Sequence, residues 1–246
     1  MISLFFSRQA GTISASLSTF HLAPGYTLMN NTTSIEEMSV WTTPIFSAQL
    51  PDHEFLKDAL LDIVYQQKAA QSTAIESLIA PSAKHALHES TLDFLEVQDA
   101  TIMEVKRTLE ELILEVASSL NQAYWPEHTQ AEAHIIESWY HVTQMGGYHD
   151  THSHPNCSWC GIYYLEPGEA AVKGKGGVNR FYDPRVNAEH YSDPGTAYLS
   201  NQGVWDFLPT EGQVVVFPSY LKHSALPYFG EKDRVVIAFN SAIDLY

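Results

Sequence analysis

The sequence predicts a mainly β domain with flanking helices, of the α+β class. Two long segments in the first half carry apolar residues at helical spacing, and from His134 onward the pattern changes to short apolar or alternating runs separated by turn signals. Several short strands with turns between them are typical of a barrel or a sandwich. We therefore expect front helices at about 52–125 to pack on one sheet of a β-core at about 134–246.

Chain length and composition suggest one folded domain with an extension. The 246 residues suffice for a sizeable core, and a hydrophobic content of 45% indicates a globular protein. Residues 1–37 are rich in Ser, Thr, Ala and Asn and show no convincing period. We expect them to form a weakly ordered N-terminal extension, followed by a single domain over 38–246.

The front of the domain is predicted to contain one strand and two helices. A strand over Val40–Leu50 is broken by Pro44, which places it near a sheet edge. Pro51 and Asp52 then open a helix whose apolar positions recur at helical spacing, and a second helix follows from about Thr101 to Tyr124. The apolar face of the second helix is assigned to the core: Val105, Leu109, Leu112, Ile113, Val116 and Leu120.

The second half contains the predicted strands. Their approximate bounds are Ile135 to Val142, Trp159 to Leu165, Gly195 to Leu199, Gln213 to Phe217 and Val235 to Asn240. The intervening glycine cluster, Gly174 to Gly177, lacks the Lys-Ser/Thr that follows a phosphate-binding loop, so we interpret it as a mobile loop.

Charge and composition exclude several classes of partner. The formal net charge of −16 argues against nucleic acid or an anionic membrane, because both call for a basic footprint. No run approaches the roughly 18 apolar residues of a membrane span, and the apolar start Met1–Phe6 is too short for a signal peptide. With no disulfide framework to infer, a cytoplasmic protein is expected.

The two cysteines, Cys157 and Cys160, form a C-x-x-C pattern. A redox or zinc role would need a thioredoxin-like context or a second pair, and the sequence has neither. Strand alternation also predicts that the two side chains point to opposite faces. We interpret them as ordinary small residues beside a site.

The stretch from Tyr148 to Pro155 carries the strongest chemical signal, with three histidines and an aspartate within six positions. On an extended segment His152 and His154 point to the same side, so both can bind one borderline transition metal. The same alternation places His149 on the opposite side, leaving it a contact to substrate or to a ligand at most.

A third metal ligand is predicted at His223, which follows an apolar strand and the turn Phe217-Pro218-Ser219. Arg234 opens the next strand and is expected to point into the interior. A buried guanidinium requires an anionic partner, and a dicarboxylate ligand would meet that need through bidentate contacts. Alternation along this strand puts Asn240 on the same face as Arg234.

These residues, in this order, resemble the 2-oxoglutarate/Fe(II) oxygenase group related to prolyl hydroxylases. The similarity lies in the His-x-His, the run Gly161–Leu165, the segment Glu211–Pro227 and Arg234 with the strand after it, and it extends over roughly 38–246. It implies a double-stranded β-helix (jelly-roll) core. It also implies Fe(II) near one open end, with 2-oxoglutarate chelating the metal.

The resemblance assigns roles to individual residues. His152 matches the first iron ligand and His223 the last, Arg234 matches the anchor of the far carboxylate of 2-oxoglutarate, and Tyr164 matches a tyrosine that hydrogen-bonds that carboxylate. The departure is His154, which stands where the group usually has an aspartate. The site is then either His152/His154/His223, or one completed by the carboxylate of Asp150, or a site without functional iron.

The expected activity is hydroxylation of an unactivated C–H bond with release of succinate and CO₂. The alternatives are a three-His, cupin-like dioxygenase that does not use 2-oxoglutarate and a non-enzymatic metal- or ligand-binding jelly-roll module. The expected partner is a small molecule, an amino acid or a peptide, whose identity the sequence does not specify. The front helices also offer a surface for homodimerisation.

Overall fold

The computed structural model describes residues 42–71, 83–185 and 203–246. The predicted N-terminal extension over 1–37 and the predicted strand Gly195–Leu199 lie outside the described residues. Thr43–Tyr246 forms one compact unit.

Two α-helices lie in the first half, close to where apolar spacing predicts them. They are α1, His53–Gln71, and α2, Ala100–Asn121. The Asp99 carboxylate caps α2 by accepting hydrogen bonds from the backbone N–H groups of Thr101 and Ile102, which satisfies two donors that have no intrahelical partner. None of the helices among the described residues is both long enough and apolar enough to cross a membrane.

Nine strands are present in the described ranges. Their bounds are β1 Phe46–Gln49, β2 Lys84–Glu89, β3 Ala131–His152, β4 Trp159–Glu166, β5 Asn179–Tyr182, β6 Val204–Phe207, β7 Gln213–Pro218, β8 His223–Ala225 and β9 Arg234–Leu245. The five predicted strands that fall wholly or mostly in these ranges correspond to β1, β3, β4, β7 and β9, and β3 is much longer than its alternating segment indicated. The sequence did not predict β2, β5, β6 or β8.

The strands form a single curled antiparallel sheet. Their order is β1-β7-β4-β9-β3-β8-β5-β6, with β2 attached to β3. β9 lies in the middle, between β3 and β4, and β1 forms one edge, as expected of a strand next to Pro44. The mainly β class with flanking helices is therefore confirmed.

The sheet separates two apolar clusters. The helix-side cluster joins α1 and α2 to one face, and its buried members include Leu109, Ile113, Tyr163 and Ile237. The cavity-side cluster lies on the other face and consists of Cys160, Ile162, Tyr164, Phe181, Phe207, Val215, Phe217, Leu221 and Val236. Successive residues of β4, β7 and β9 alternate between the two clusters, as the period of a strand requires.

β3 is irregular where it reaches its end. His149 pairs with Ala225 and His152 pairs with His223, so that three steps along β3 correspond to two along β8. The extra residue is a β-bulge, which interrupts the alternation of side chains along the strand.

Candidate active site

Three histidines meet at the junction of β3 and β8. His152, His154 and His223 each offer one ligand atom, and these atoms lie within 4.8 Å of one another. His152 and His223 are directly opposed in the antiparallel ladder, which brings their ring centroids to 4.3 Å. The ring of His154 lies 5.0 Å from that of His152 and 5.2 Å from that of His223.

Backbone carbonyls orient two of these rings. Nδ1 of His152 donates to the carbonyl oxygen of Asp150 at 2.7 Å, and Nδ1 of His223 donates to that of Leu221 at 3.1 Å. A carbonyl accepts only, so Nδ1 carries the proton and Nε2 keeps its lone pair. Such a contact fixes both tautomer and orientation in metal-ligating histidines.

Burial keeps the three imidazoles neutral. It lowers the pKa of His223 to about 3 and that of His154 to about 4, and it also lowers the pKa of His152. Their nitrogens are therefore free of added protons at neutral pH. Three neutral imidazoles converging within a few ångströms suit a borderline divalent metal such as Fe(II) or Zn(II).

Arg234 is buried on β9, with 1% of its surface exposed. Its Nη2 donates to Oδ1 of Asn179 at 2.6 Å, and its guanidinium lies 5.5 Å from the centre of the Tyr164 ring. The Tyr164 hydroxyl donates to the same Asn179 oxygen at 2.8 Å. Burial lowers the pKa of Arg234 and raises that of Tyr164.

The charge of Arg234 is not balanced by any carboxylate in the described ranges. No ion pair joins it to a described Asp or Glu, and its Nε–H has no hydrogen-bond partner there. An uncompensated buried guanidinium costs several kcal/mol. The arrangement therefore fits a carboxylate supplied by a ligand.

One cavity is lined both by the histidines and by the arginine. Arg234, Val236, Ala238 and Asn240 line it at alternate positions of β9, together with the three histidines and Asn179. Tyr164 lies behind this lining, in the cavity-side cluster.

Asn240 takes part in a separate hydrogen-bond group. Its Nδ2 donates to Oε2 of Glu137 at 2.7 Å, and its Oδ1 accepts from the Cys160 thiol at 3.3 Å. Asp150, in contrast, is exposed, and its Oδ1 accepts from the backbone N–H of Thr151. The Asp150 carboxylate does not belong to the group formed by the three histidines.

The expectation for His149 was wrong. Alternation placed its side chain opposite that of His152, but the two rings are stacked with centroids 3.9 Å apart. The bulge between the two residues is the physical reason, since one extra residue reverses the alternation.

The expectation for the cysteines was also wrong. The sulfurs of Cys157 and Cys160 are 3.6 Å apart and not on opposite faces. Cys157 lies in the turn before β4, where strand alternation does not apply.

A second group of potential ligands was missed by sequence reasoning. Glu89 on β2 and His141 and His149 on β3 each offer one ligand atom, all within 4.8 Å of one another. Asn179 was missed too. His141 could have been noticed as a polar residue within the apolar run of β3, whereas nothing near Asn179 indicated that its strand pairs with β8.

Known proteins were compared with the chain at the level of sequence and of structure. No curated protein matches the sequence. Residues 137–240 match the family model described as "Putative 2OG-Fe(II) oxygenase". This segment runs from β3 to β9 and contains the three histidines, Tyr164, Asn179 and Arg234.

Solved structures share the fold. A Pseudomonas putida prolyl-4-hydroxylase is similar with a TM-score of 0.53 at 13% identity, covering 81% of this chain and 93% of that one. HygX from Streptomyces hygroscopicus, solved with nickel and 2-oxoglutarate, gives 0.52 at 11% identity, with 82% and 83% covered. The α-ketoglutarate-dependent epimerase SnoN from nogalamycin biosynthesis gives 0.53 at 10% identity, with 80% and 76% covered.

These likenesses identify the curled sheet as the double-stranded β-helix expected from the sequence. The family-model match over residues 137–240 indicates a 2-oxoglutarate-dependent oxygenase, which is an oxidoreductase.

Proposed function

We propose that the protein is an Fe(II)/2-oxoglutarate-dependent oxygenase that hydroxylates an unactivated C–H bond of a small-molecule, amino-acid or peptide substrate. The observation that carries the proposal is Arg234, a buried guanidinium without a carboxylate partner among the described residues, which lines the same cavity as three neutral histidines. Bound Fe(II) with 2-oxoglutarate supplies the activation of oxygen, with succinate and CO₂ as co-products.

His152, His154 and His223 are the proposed ligands of the iron. The carbonyl contacts at Nδ1 of His152 and His223 support this role, because they leave Nε2 available in a fixed direction. A set of three histidines carries one negative charge fewer than two histidines and a carboxylate. We expect it to bind Fe(II) more weakly and to leave more positive charge at the metal for an anionic co-substrate.

Arg234 is the proposed anchor for the far carboxylate of 2-oxoglutarate. Its unpartnered Nε–H and its Nη2 can donate side by side to a carboxylate, the geometry in which arginine binds such groups most strongly. Asn179 holds the guanidinium and the Tyr164 hydroxyl through one oxygen, so both are oriented before the ligand arrives. Apolar residues of the cavity-side cluster exclude water around this anchor.

The substrate is proposed at the level of class only. Prolyl-4-hydroxylase is one structural relative, and HygX has been solved with hygromycin B bound. A peptide or amino acid and a polar small molecule are therefore both consistent with the fold.

The test is an anaerobic titration of the purified protein with Fe(II) and then with 2-oxoglutarate, followed in the visible region. The band expected is the charge-transfer transition from iron to the chelating keto acid. Arg234→Met removes the guanidinium at similar volume, and we expect 2-oxoglutarate to bind at least about 30-fold more weakly, the lower limit for loss of a buried charge partner.

Arg180→Ala is the matched control. Arg180 is also an arginine of this sheet, next to Asn179, but it is paired with Asp206 at 2.6 Å, and its loss should leave the band unchanged. A 2-oxo monocarboxylic acid of similar length gives a second control, since Arg234→Met should weaken its binding little.

Three other outcomes would contradict the proposal. Iron binding without a band would favour a three-His dioxygenase that does not use 2-oxoglutarate. A band that survives Arg234→Met at full affinity would remove Arg234 from the site. No iron binding by the folded protein would favour a non-enzymatic module.

A further inference from the structure

The group of Glu89, His141 and His149 lies beside the proposed iron site and has no role in the mechanism above. Glu89 lies on β2 and the two histidines lie on β3, and the antiparallel pairing of these strands places Glu89 directly opposite His141. The side chains are largely buried, with 16% of Glu89 and 9% of His141 exposed. One ligand atom from each residue lies within 4.8 Å of the others.

Two contacts of His141 compete for one ring nitrogen, and at least one of them must be lost. Nε1 of Trp139 lies 3.0 Å from Nε2 of His141, and an indole N–H can only donate, so this Nε2 must present its lone pair. Oε2 of Glu89 lies 2.6 Å from the same nitrogen and is also an acceptor when ionised. Two acceptors at this distance repel each other. A metal ion between them would take the Nε2 lone pair and bind both, and the Trp139 N–H would then give up its contact.

The donor set matches a divalent transition metal. Two imidazoles and one carboxylate are the ligands found in catalytic zinc sites and in non-haem iron sites. Bonds of about 2.0–2.2 Å to nitrogen and oxygen place ligand atoms roughly 3 Å apart at a right angle. Glu89 would therefore shift by only a few tenths of an ångström to take part.

The group adjoins the three-His cluster without sharing a residue with it. The bulge in β3 stacks the ring of His149 on that of His152 at 3.9 Å. His141 and His149 line the same cavity as His152, His154 and His223. An ion held by Glu89, His141 and His149 would therefore face the same cavity as an ion held by the three-His cluster.

We propose that Glu89, His141 and His149 form a second metal site for a divalent transition metal, adjacent to the three-His cluster and open to the same cavity. This inference does not depend on the proposed oxygenase activity. One charge opposes it: Nζ of Lys84 lies 2.5 Å from Oε2 of Glu89. The ammonium is carried on a flexible side chain that can withdraw when a dication binds.

The experiment measures the metal content of the full-length protein. The chain is stripped with a chelator, dialysed against Zn(II) in slight excess and analysed for bound metal by atomic absorption. The wild type should hold about two equivalents per chain, one at the three-His cluster and one at Glu89, His141 and His149.

Four variants assign the ions. Glu89→Gln and His141→Gln should each lose one equivalent and keep the charge-transfer band of the iron and 2-oxoglutarate complex, whereas His223→Ala should lose the other equivalent together with the band. Lys84→Met should tighten binding of the ion that Glu89→Gln removes, because it deletes a competing cation. Circular dichroism checks that each variant is folded.

His134→Gln is the matched control for adventitious binding. His134 is also a histidine beside carboxylates, with Nε2 at 3.4 Å from Asp244, but 42% of its side chain is exposed. The variant should keep both equivalents.

The outcomes separate this proposal from the proposed function. One equivalent in the wild type that is lost in His223→Ala and kept in Glu89→Gln would overturn the second site. Two equivalents that both survive Glu89→Gln and His141→Gln would overturn it as well. One equivalent that is lost in Glu89→Gln and kept in His223→Ala would support the site described here and overturn the three-His iron site.

Discussion

Tyr163 and Tyr164 are neighbours on β4, yet their hydroxyls lie on opposite sides of the sheet in different surroundings. Tyr163 belongs to the helix-side cluster, where its hydroxyl lies 2.6 Å from Nδ1 of His53 and Nε2 of His53 lies 3.3 Å from Glu211. Tyr164 belongs to the cavity-side cluster and shares Asn179 with Arg234, whose Nε–H has no partner there. The buried Tyr163 and His53 pair on the helix side is satisfied within the protein, whereas Arg234 on the cavity side keeps capacity for a ligand.

The difference indicates that one face of the sheet contributes mainly to stability and the other mainly to ligand binding. The helix-side cluster fills its space with apolar side chains from two helices and five strands, and we expect it to determine stability. The cavity side contains buried polar groups that are costly without a partner. We expect it to contribute less to stability in the free protein and to gain stability when a ligand binds.

The largest effect should come from truncating the helix-side cluster. Leu109→Ala, at a fully buried position of α2, should lower the free energy of unfolding by about 2–5 kcal/mol, because it removes apolar contacts and leaves a cavity. Urea denaturation followed by circular dichroism measures this. Metal content of the folded variant should be unchanged.

Leu120→Ala on the same helix is the control, since Leu120 is 40% exposed. Its cost should stay below about 1 kcal/mol. Equal losses of stability in the two variants would mean that burial in the helix-side cluster does not determine the stability of the protein.

The second effect concerns pH and the cavity side. The pKa of His223 is about 3 in the folded protein and about 6.5 when unfolded. Between these values the unfolded state binds the extra proton, so stability is complete above pH 6.5 and falls as the pH decreases towards 3. The loss attributable to His223 should be about 2 kcal/mol at pH 5 relative to pH 8 in metal-free protein.

Denaturation of His223→Gln over the same pH range isolates this contribution. The variant should lose about 2 kcal/mol less than the wild type between pH 8 and pH 5. Parallel curves for the two proteins would show that His223 is not held neutral by burial.

The third effect compares the two tyrosines directly. Tyr163→Phe and Tyr164→Phe should each cost about 1 kcal/mol of stability, since each removes one buried hydrogen bond. Only Tyr164→Phe should also weaken binding of 2-oxoglutarate, by about five- to tenfold. Isothermal titration of the Fe(II)-loaded proteins measures the affinities. A similar loss of affinity in Tyr163→Phe would contradict the separation of the two faces.

The smallest effect should come from the ion pair between β5 and β6, at the edge of the sheet. Arg180 donates to Asp206 through two nitrogens, at 2.6 and 2.8 Å, in solvent. Arg180→Ala should change stability by less than about 1 kcal/mol. A thermal melt suffices to measure it, and raising the ionic strength should shrink the difference further.

Sequence reasoning was most successful where one period extends over many residues. The apolar spacing of α2 and the continuous apolar run from Val235 to Phe239 in β9 predicted both elements, because each depends on the local sequence alone. The convergence of His223 with His152 was expected from its position after an apolar strand and a turn, and from the resemblance, but the pairing of β3 with β8 that produces it was not predicted. Short strands such as β5 and β8 hold their conformation through their neighbours and leave almost no local pattern.

The errors arose at irregular backbone. His149 was misplaced because a bulge is invisible to alternation, and Cys157 was misplaced because it precedes its strand. Glu89 was missed because β2 lies in a stretch of mixed polar and apolar residues and forms by pairing with β3.

The bulge in β3 also sets what kind of change this segment can absorb over evolution. Asp150 and Thr151 lie within it, and both are exposed, so substitutions at these two positions should cost little stability. The number of residues in the bulge, in contrast, is constrained. Deleting one of them would restore regular alternation and rotate His149 away from His152, and adding one would shift the register upstream against β9 and β2. Relatives that retain both groups of ligands should therefore vary in composition here while keeping its length.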